Sequence, residues 1–339
     1  MSAISSMPTW TGKQADFSEL IKLKLLGSND LSKLGFTIKE DVQSNRVEYK
    51  APYLDKITSV RSGCTTASVG AGGLAVAALT LTVADFKVND GQCASTFDTT
   101  IAELVRKKGF DINNLEGTDI DKLIQEIVLD GAARDSYRKL WLNDTTYGNA
   151  DYLGYDGVFK KVKAGYLAAD GTTNAGSITS TDLEVANIIA TFNRVEDAQA
   201  DELKYMPDTM KKMYVTDPVW KAYRRYLQST QFSGVAESRM ALINGIETLY
   251  YNNIELINLG IISKYLSNDF TGGSPATLTT GNRILLTVPD NHIVSTDALT
   301  DSFSLDFWYE KKDDTNYWRM FYKMGYTYAW GVLNTMAGW

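Results

Sequence analysis

The chain carries one histidine, His292, and two cysteines, Cys64 and Cys93, and these set the limits of its side-chain chemistry. A closed zinc site drawing on His and Cys would want more ligands than the three present. Any triad, histidine metal site or imidazole acid–base scheme must pass through His292. It follows a strand-like run and has Asp290 and Asp297 near it in sequence, where a catalytic dyad would be sought. No Gly-x-Ser-x-Gly elbow accompanies it, and the cysteines fall in a ribbon-like region, not on a strand-to-helix turn. A loop histidine with ordinary hydrogen bonds is therefore expected. The cysteines could bridge two strands, but with no visible secretory signal they are expected to be free and buried.

Gly70, Gly72 and Gly73 fit a relaxed dinucleotide fingerprint, with Asp90 as the acid about twenty residues on. That motif needs a helix after the glycines. Residues 79–83 instead alternate like a strand, and Asp90 sits in a turn-like Asn-Asp-Gly, so a flexible ribbon tip is expected and no cofactor. Asp151 and Asp156, or Asp313 and Asp314, are the compact carboxylate pairs open to hydrolytic chemistry. With Tyr147, Tyr152 and Tyr155 the first pair could line a sugar platform or hold a hard cation, but it misses the EF-hand spacing. An interface or packing loop is the plainer reading. Lys160, Lys161 and Lys163, and Arg224 with Arg225, read as solvated faces or inter-subunit ion pairs before nucleic-acid contacts. Asn143 opens a glycosylation sequon that carries no weight without a secretory signal. No catalytic, cofactor-binding or metal residue is expected, and no enzyme.

The elements that would position these residues follow from patterning. Hydrophobic residues make up 44% and charged ones 22% of 339, which argues for a folded chain, and a net charge of −7 disfavours a phosphate-gripping protein. No run is long and apolar enough for a membrane span. Residues 1–45 hold too little apolar surface to fold alone and should pack on something else as an arm. Residues 46–60 and 79–83 alternate as strands around the glycines, giving a long two-stranded ribbon. Such a ribbon is marginal in water and must lie against a neighbour, its own body or another copy. Residues 118–142 have a helical stripe of Ile120, Leu123, Ile124, Ile127 and Val128, continued by Tyr137, Leu140 and Trp141, with Gly131 as a place to bend or break. Thr181 and Glu184 have capping-box spacing for a helix through Phe192 and Val195. Residues 213–215 read as a buried strand, and Asp217 with Pro218 starts a helix through Trp220, Tyr223 and Leu227. An apolar run at 249–259, a strand at 283–288 stopped by Pro289, and an aromatic strand pair at 303–309 and 317–330 complete an α+β chain.

This order of pieces resembles the tailed-phage major capsid proteins of the Hong Kong 97-type fold, also seen in encapsulin shells. The residues that carry the resemblance are the strand–Asp217–Pro218–helix at 213–227, the apolar stretch 246–256, the strand 283–290 and the closing hairpin 307–325. No single motif is diagnostic; their order over most of the chain carries the resemblance. The resemblance implies an N-terminal arm (1–45), an extended E-loop (46–95), a peripheral domain (96–181) with a spine helix (118–142), an axial domain (182–300), and C-terminal strands returning to the peripheral domain (301–339). It further implies a structural shell protein of the virion, assembled in the host cytoplasm as hexamers and pentamers. Portal, scaffolding or auxiliary head proteins would be partners, and packaged DNA would touch the inner wall only weakly. An encapsulin-like nanocompartment shell is the alternative, with a sugar-binding or carboxylate-hydrolase protein behind it.

Overall fold

The computed structural model describes residues 34–51, 76–93, 119–229, 240–243, 246–270, 281–297 and 305–338. In chain order the strands are β1 (Thr37–Lys39), β2 (Asn45–Lys50), β3 (Ala77–Thr82) and β4 (Ala84–Cys93), followed by helix α1 (Asp119–Leu142), helix α2 (Val158–Leu167) and β5 (Thr173–Asn174). Helices α3 (Ile188–Asp197) and α4 (Asp201–Lys204), strand β6 (Lys212–Val215) and helix α5 (Asp217–Gln228) come next. Strands β7 (Met240–Ile243), β8 (Ile246–Tyr251) and β9 (Ile254–Asn258) lead to helix α6 (Ile261–Asp269). Strands β10 (Ile284–Thr287), β11 (His292–Thr296), β12 (Leu305–Glu310), β13 (Thr315–Tyr328) and β14 (Asn334–Ala337) finish the chain.

Three sheets result. The seven-stranded sheet has the order β5-β14-β10-β6-β9-β8-β7. Its middle strands are buried on both faces, and alternation divides their side chains between two cores. Met213, Val215, Ile284 and Leu286 meet Phe192 of α3 and Tyr223 of α5 in one core. Tyr214 and Leu285 meet Trp141 of α1 and Phe159 of α2 in the other. Positive φ at Asn252 and Asn253 gives the two-residue hairpin turn between β8 and β9, a geometry that suits the right-handed twist of the strands.

The five-stranded sheet is organised by β13. Met324 pairs with both Ala84 of β4 and Thr296 of β11, so those two strands lie on opposite edges of β13, and β12 pairs with its first half. β1 adds parallel to β11. Met320, Tyr322, Met324 and Tyr326 of β13 pack onto the core that holds Leu129, Tyr137, Leu140 and Trp141 of α1. The expected stripe at Ile120, Leu123, Ile124 and Ile127 lies outside the side chains described. The arm residue Leu34 is fully buried in this core and Phe36 packs against it, which is the covering that its small apolar surface called for.

Several expectations change at this level. The helix does not break at Gly131: α1 runs unbroken for 24 residues, about 36 Å. Gly131 is exposed and a Cβ there would meet nothing within 4 Å. Gly131→Ala is accordingly expected to raise stability by about 0.5–1 kcal/mol, read as a higher thermal midpoint by circular dichroism. The capping box does not form. Residues Thr181–Leu183 make a short 3-10 turn, the helix starts at Ile188, and Asp182 accepts instead from the backbone N–H (2.7 Å) and hydroxyl (2.7 Å) of Thr179. Sheet membership also departs from the expected boundaries. β11, within 182–300, belongs to the five-stranded sheet, and β14, within 301–339, belongs to the seven-stranded one. The chain thus passes between these two sheets three times, after β4, after β10 and after β13, the second time where Pro289 ends the ladder of β10.

Candidate assembly surface

β2 and β3 form the third sheet, a two-stranded antiparallel ribbon in which Arg46 faces Leu81, Glu48 faces Leu79 and Lys50 faces Ala77. Because side chains alternate, the ribbon has two distinct faces. The inner face is tied to the body. Leu81 is fully buried with Val42 and Ile293, and Leu79 packs beside them. Lys50 donates to the Ala329 carbonyl and stands 4.5 Å over the Trp330 ring. Glu48 pairs with Lys39 (3.5 Å) and Arg46 (3.6 Å). At the ribbon's base Lys323 reaches Asp297 (3.2 Å), Asp85 (3.8 Å) and the Gln43 carbonyl (3.0 Å), and Val83 N–H donates to the Ser44 carbonyl. Exposed ion pairs of this kind contribute about 0–1 kcal/mol each, so the buried leucine is the main anchor.

The outer face is different in kind. Asn45, Val47 and Tyr49 stand opposite Thr82, Thr80 and Ala78, and all six are exposed and uncharged. Val47 is 52% and Tyr49 76% exposed, with Val76 beside them at 50%. A strand face in permanent contact with water ordinarily carries charge that keeps other chains away. This one carries none. Tyr53, Ile57, Val60, Cys64 and the glycines at 70, 72 and 73 lie outside the described residues.

The residues singled out for chemistry are not gathered into a site. His292 is not in a loop: it is the first residue of β11 and fully buried. Its ring bonds Thr287 Oγ1 (2.9 Å) and the Tyr326 hydroxyl (2.5 Å) and stacks on Phe36 at 4.8 Å, and neither Asp290 nor Asp297 takes part. Burial pushes its pKa down to about 3. Cys93 is exposed at the end of β4, not buried. Asn89, Asp90 and Gly91 form no turn. They continue β4 against β13, and Gly91 is required because Tyr317 lies across it, 2.5 Å from where a Cβ would stand.

The tyrosine-rich loop builds turns. Asp156 Oδ1 accepts from the Thr145 N–H (3.0 Å) and hydroxyl (2.8 Å), and Asn149 Oδ1 accepts from Asp151 N–H (3.0 Å). Tyr152 and Tyr155 are buried and Tyr147 stacks on Phe270 at 4.8 Å, so no open sugar platform is left. Asn143 is also fully buried. Asp313 and Asp314 belong to the β12–β13 turn, where Tyr309 donates to Asp314 (2.5 Å). Lys160 pairs with buried Asp144 (3.2 Å), and Lys161 donates to the Tyr326 carbonyl (3.2 Å), burial lowering its pKa. Arg224 and Arg225 lie on the exposed side of α5. Arg283 is a buried charge that patterning did not find. It lies 5.2 Å over the Phe159 ring, and desolvation lowers its pKa to about 9. Among the described residues no cluster of His, Cys, Asp or Glu could hold a metal ion, and no helix is long and apolar enough to cross a membrane.

Compared with family models and with curated proteins, the sequence finds no match. Solved structures do match. A chain of the satellite phage P4 procapsid, which includes the size determination protein, aligns with a TM-score of 0.59 at 10% identity, over 98% of this chain and 93% of that one. A chain from Gordonia phage Cozz gives 0.57 at 10% identity, over 99% and 90%. The capsid of the Myoviridae phage XM1 gives 0.52 at 10% identity, over 98% and 95%. Likeness at such low identity speaks for fold and nothing more. Over nearly its whole length, this chain has the α+β Hong Kong 97-type capsid fold.

Proposed function

We propose that the chain is a major capsid subunit, a structural protein without catalytic activity that self-assembles into the icosahedral head shell enclosing phage DNA. The ribbon is then the E-loop, α1 the spine helix, and the seven-stranded sheet the core of the axial domain. The observation that carries the reading is the uncharged outer face of the ribbon, displayed by a chain whose fold is that of shell subunits over 98% of its length. A second copy laid over Asn45, Val47, Tyr49, Ala78 and Thr80 removes that surface from water, and a fully buried Val-sized side chain contributes about 1.5–3 kcal/mol. Repeated around hexamers and pentamers, a modest contact closes a shell. Portal and scaffolding or auxiliary head proteins are the expected further partners, with only weak DNA contact at an inner wall on an acidic protein. The location is the virion, after assembly in the host cytoplasm.

Electron microscopy of the purified protein at rising concentration tests this, with closed particles expected. A wild-type chain that stays a single molecule at high concentration overturns the shell function. Val47→Lys combined with Tyr49→Lys is expected to leave the circular dichroism and thermal midpoint of the subunit unchanged and to abolish particles. Full-size particles from that double variant would reject the ribbon face as the contact.

A further inference from the structure

Two of the crossings between the five- and seven-stranded sheets run through one buried polar seam. The first links β10 to β11 through residues 288–291, and the second links β13 to β14 through residues 329–333. Asn291 binds the second crossing at three points. Its side chain donates to the Trp330 carbonyl (2.9 Å) and accepts from Trp330 N–H (2.7 Å), and its own carbonyl accepts from Ala329 N–H (2.9 Å). Asn334 Oδ1 accepts from Asn291 Nδ2 (3.1 Å) and from the Thr287 hydroxyl (2.8 Å). His292 completes the seam by joining Thr287 on one strand to Tyr326 on another. Thr287, Asn291, His292 and Asn334 are all buried.

This arrangement fixes the proton on the imidazole. With the single hydroxyl hydrogen of Thr287 on Asn334 Oδ1 (2.8 Å) or on the Val288 carbonyl (3.4 Å), Thr287 Oγ1 accepts from the ring and Nε2 carries the N–H. Nδ1 must then accept from the Tyr326 hydroxyl. A second proton, on Nδ1, meets a donor already pointing at it. The described groups facing the ring are uncharged: Phe36 beside β1, Thr287 at the end of β10, Tyr326 and Tyr328 on β13, and Asn334 at the start of β14. Among the described residues, none of the ring's hydrogen-bond partners is a carboxylate.

We propose that this seam is an acid-released joint: the neutral His292 ring locks the two sheets together, and its protonation unlocks them while each sheet stays folded. The sign follows from the ring's burial, which holds its folded-state pKa at about 3, below the ordinary 6.5. An opened joint returns the ring to its ordinary value, so the open form takes up the proton that the closed form refuses. The contribution of the seam is complete above about pH 6.5 and is lost progressively as pH falls toward about 3. The open population should rise up to about tenfold per pH unit in that range.

A single histidine makes the test specific. Between pH 6.5 and 5 no other side chain in this protein has its ordinary pKa in range. Amide hydrogen exchange of the full chain, corrected for intrinsic rates, should show protection at the crossings, residues 288–291 and 329–333, falling by up to about tenfold per unit across that window, with α1, β6 and the β11–β13 ladder unchanged. His292→Gln removes the slope. Tyr326→Phe, which keeps the titrating ring, is expected to exchange faster at pH 7 and to retain the slope. A slope that survives in His292→Gln, loss of protection spread evenly over the whole chain, or a flat profile to pH 5 in the wild type each overturns the proposal. Should His292→Gln not fold, Tyr326→Phe and the wild-type profile still decide it.

Discussion

Replacing Trp141 with alanine is expected to cost about 3–5 kcal/mol, enough to remove a large part of the subunit's stability. Trp141 is fully buried near the end of α1, with Phe159 at 5.2 Å, Tyr214 at 5.5 Å and Phe36 at 5.9 Å between ring centroids. Those three partners come from α2, from the middle of the seven-stranded sheet and from the arm. One indole therefore ties together segments from three separate parts of the chain, and its loss leaves a cavity that rigid neighbours cannot collapse to fill. The indole N–H makes no hydrogen bond among the described residues. Trp141→Phe, which removes that unsatisfied donor while keeping a ring, should cost only a fraction as much. Chemical denaturation followed by circular dichroism measures both. Equal losses in the two variants would mean that volume at this position is not what holds the helix to the sheets.

The helix that carries Trp141 was legible in the sequence, and so were the strand–Asp217–Pro218–helix unit, the closing hairpin and the two ribbon strands, because each announces itself by local periodicity. Tyr137, Leu140 and Trp141 recur at helical spacing and are all buried. What patterning missed depends on partners far away in the chain. Asn-Asp-Gly at 89–91 has the composition of a turn, yet it is held straight by β13, more than two hundred residues downstream. Thr181 and Glu184 have the spacing of a capping box, but Asp182 bonds Thr179 first and postpones the helix to Ile188. The strand exchange between sheets is also nonlocal, since β11 and β14 look alike as short runs until their partners are known.

The candidate surface was half legible. Val47 and Tyr49 show as strand residues in the sequence, and the dependence of the ribbon on a neighbour follows from its thinness. Which face turns outward was not readable. That depends on Leu81 finding Val42 and Ile293, residues from two other strands or their approaches. His292 is the sharper case. It drew notice for its rarity and for two nearby aspartates, whereas its partners Thr287, Tyr326 and Asn334 come from three separate elements and share no motif. A buried histidine bonded to neutral groups has no signature in sequence, only one in three dimensions.

Gly325→Val is expected to unseat the ribbon without dissolving the cores. Gly325 lies in β13 opposite Ser295 of β11, in extended backbone that valine favours, so the conformation itself raises no objection. Space does. A Cβ would overlap the Thr82 carbonyl oxygen and stand 2.8 Å from the Thr82 carbonyl carbon and 3.1 Å from Val83 Cα. Those atoms are backbone at the joint between β3 and β4, so no rotamer change relieves the clash, and β3 must move away. Overpacking of this kind costs about 1–3 kcal/mol, and displacement of β3 draws Leu81 out of its small core for about as much again. The seven-stranded sheet and α1 are not touched by the substitution. Limited proteolysis should therefore find new cleavage near residues 76–84 while the rest of the subunit keeps its resistance, and electron microscopy should find no closed particles. If the variant assembles normally, the seating of β3 against β13 is not what orients the outer face toward a second copy. If it loses all protease resistance, the ribbon is part of the folding unit and not an appendage on it.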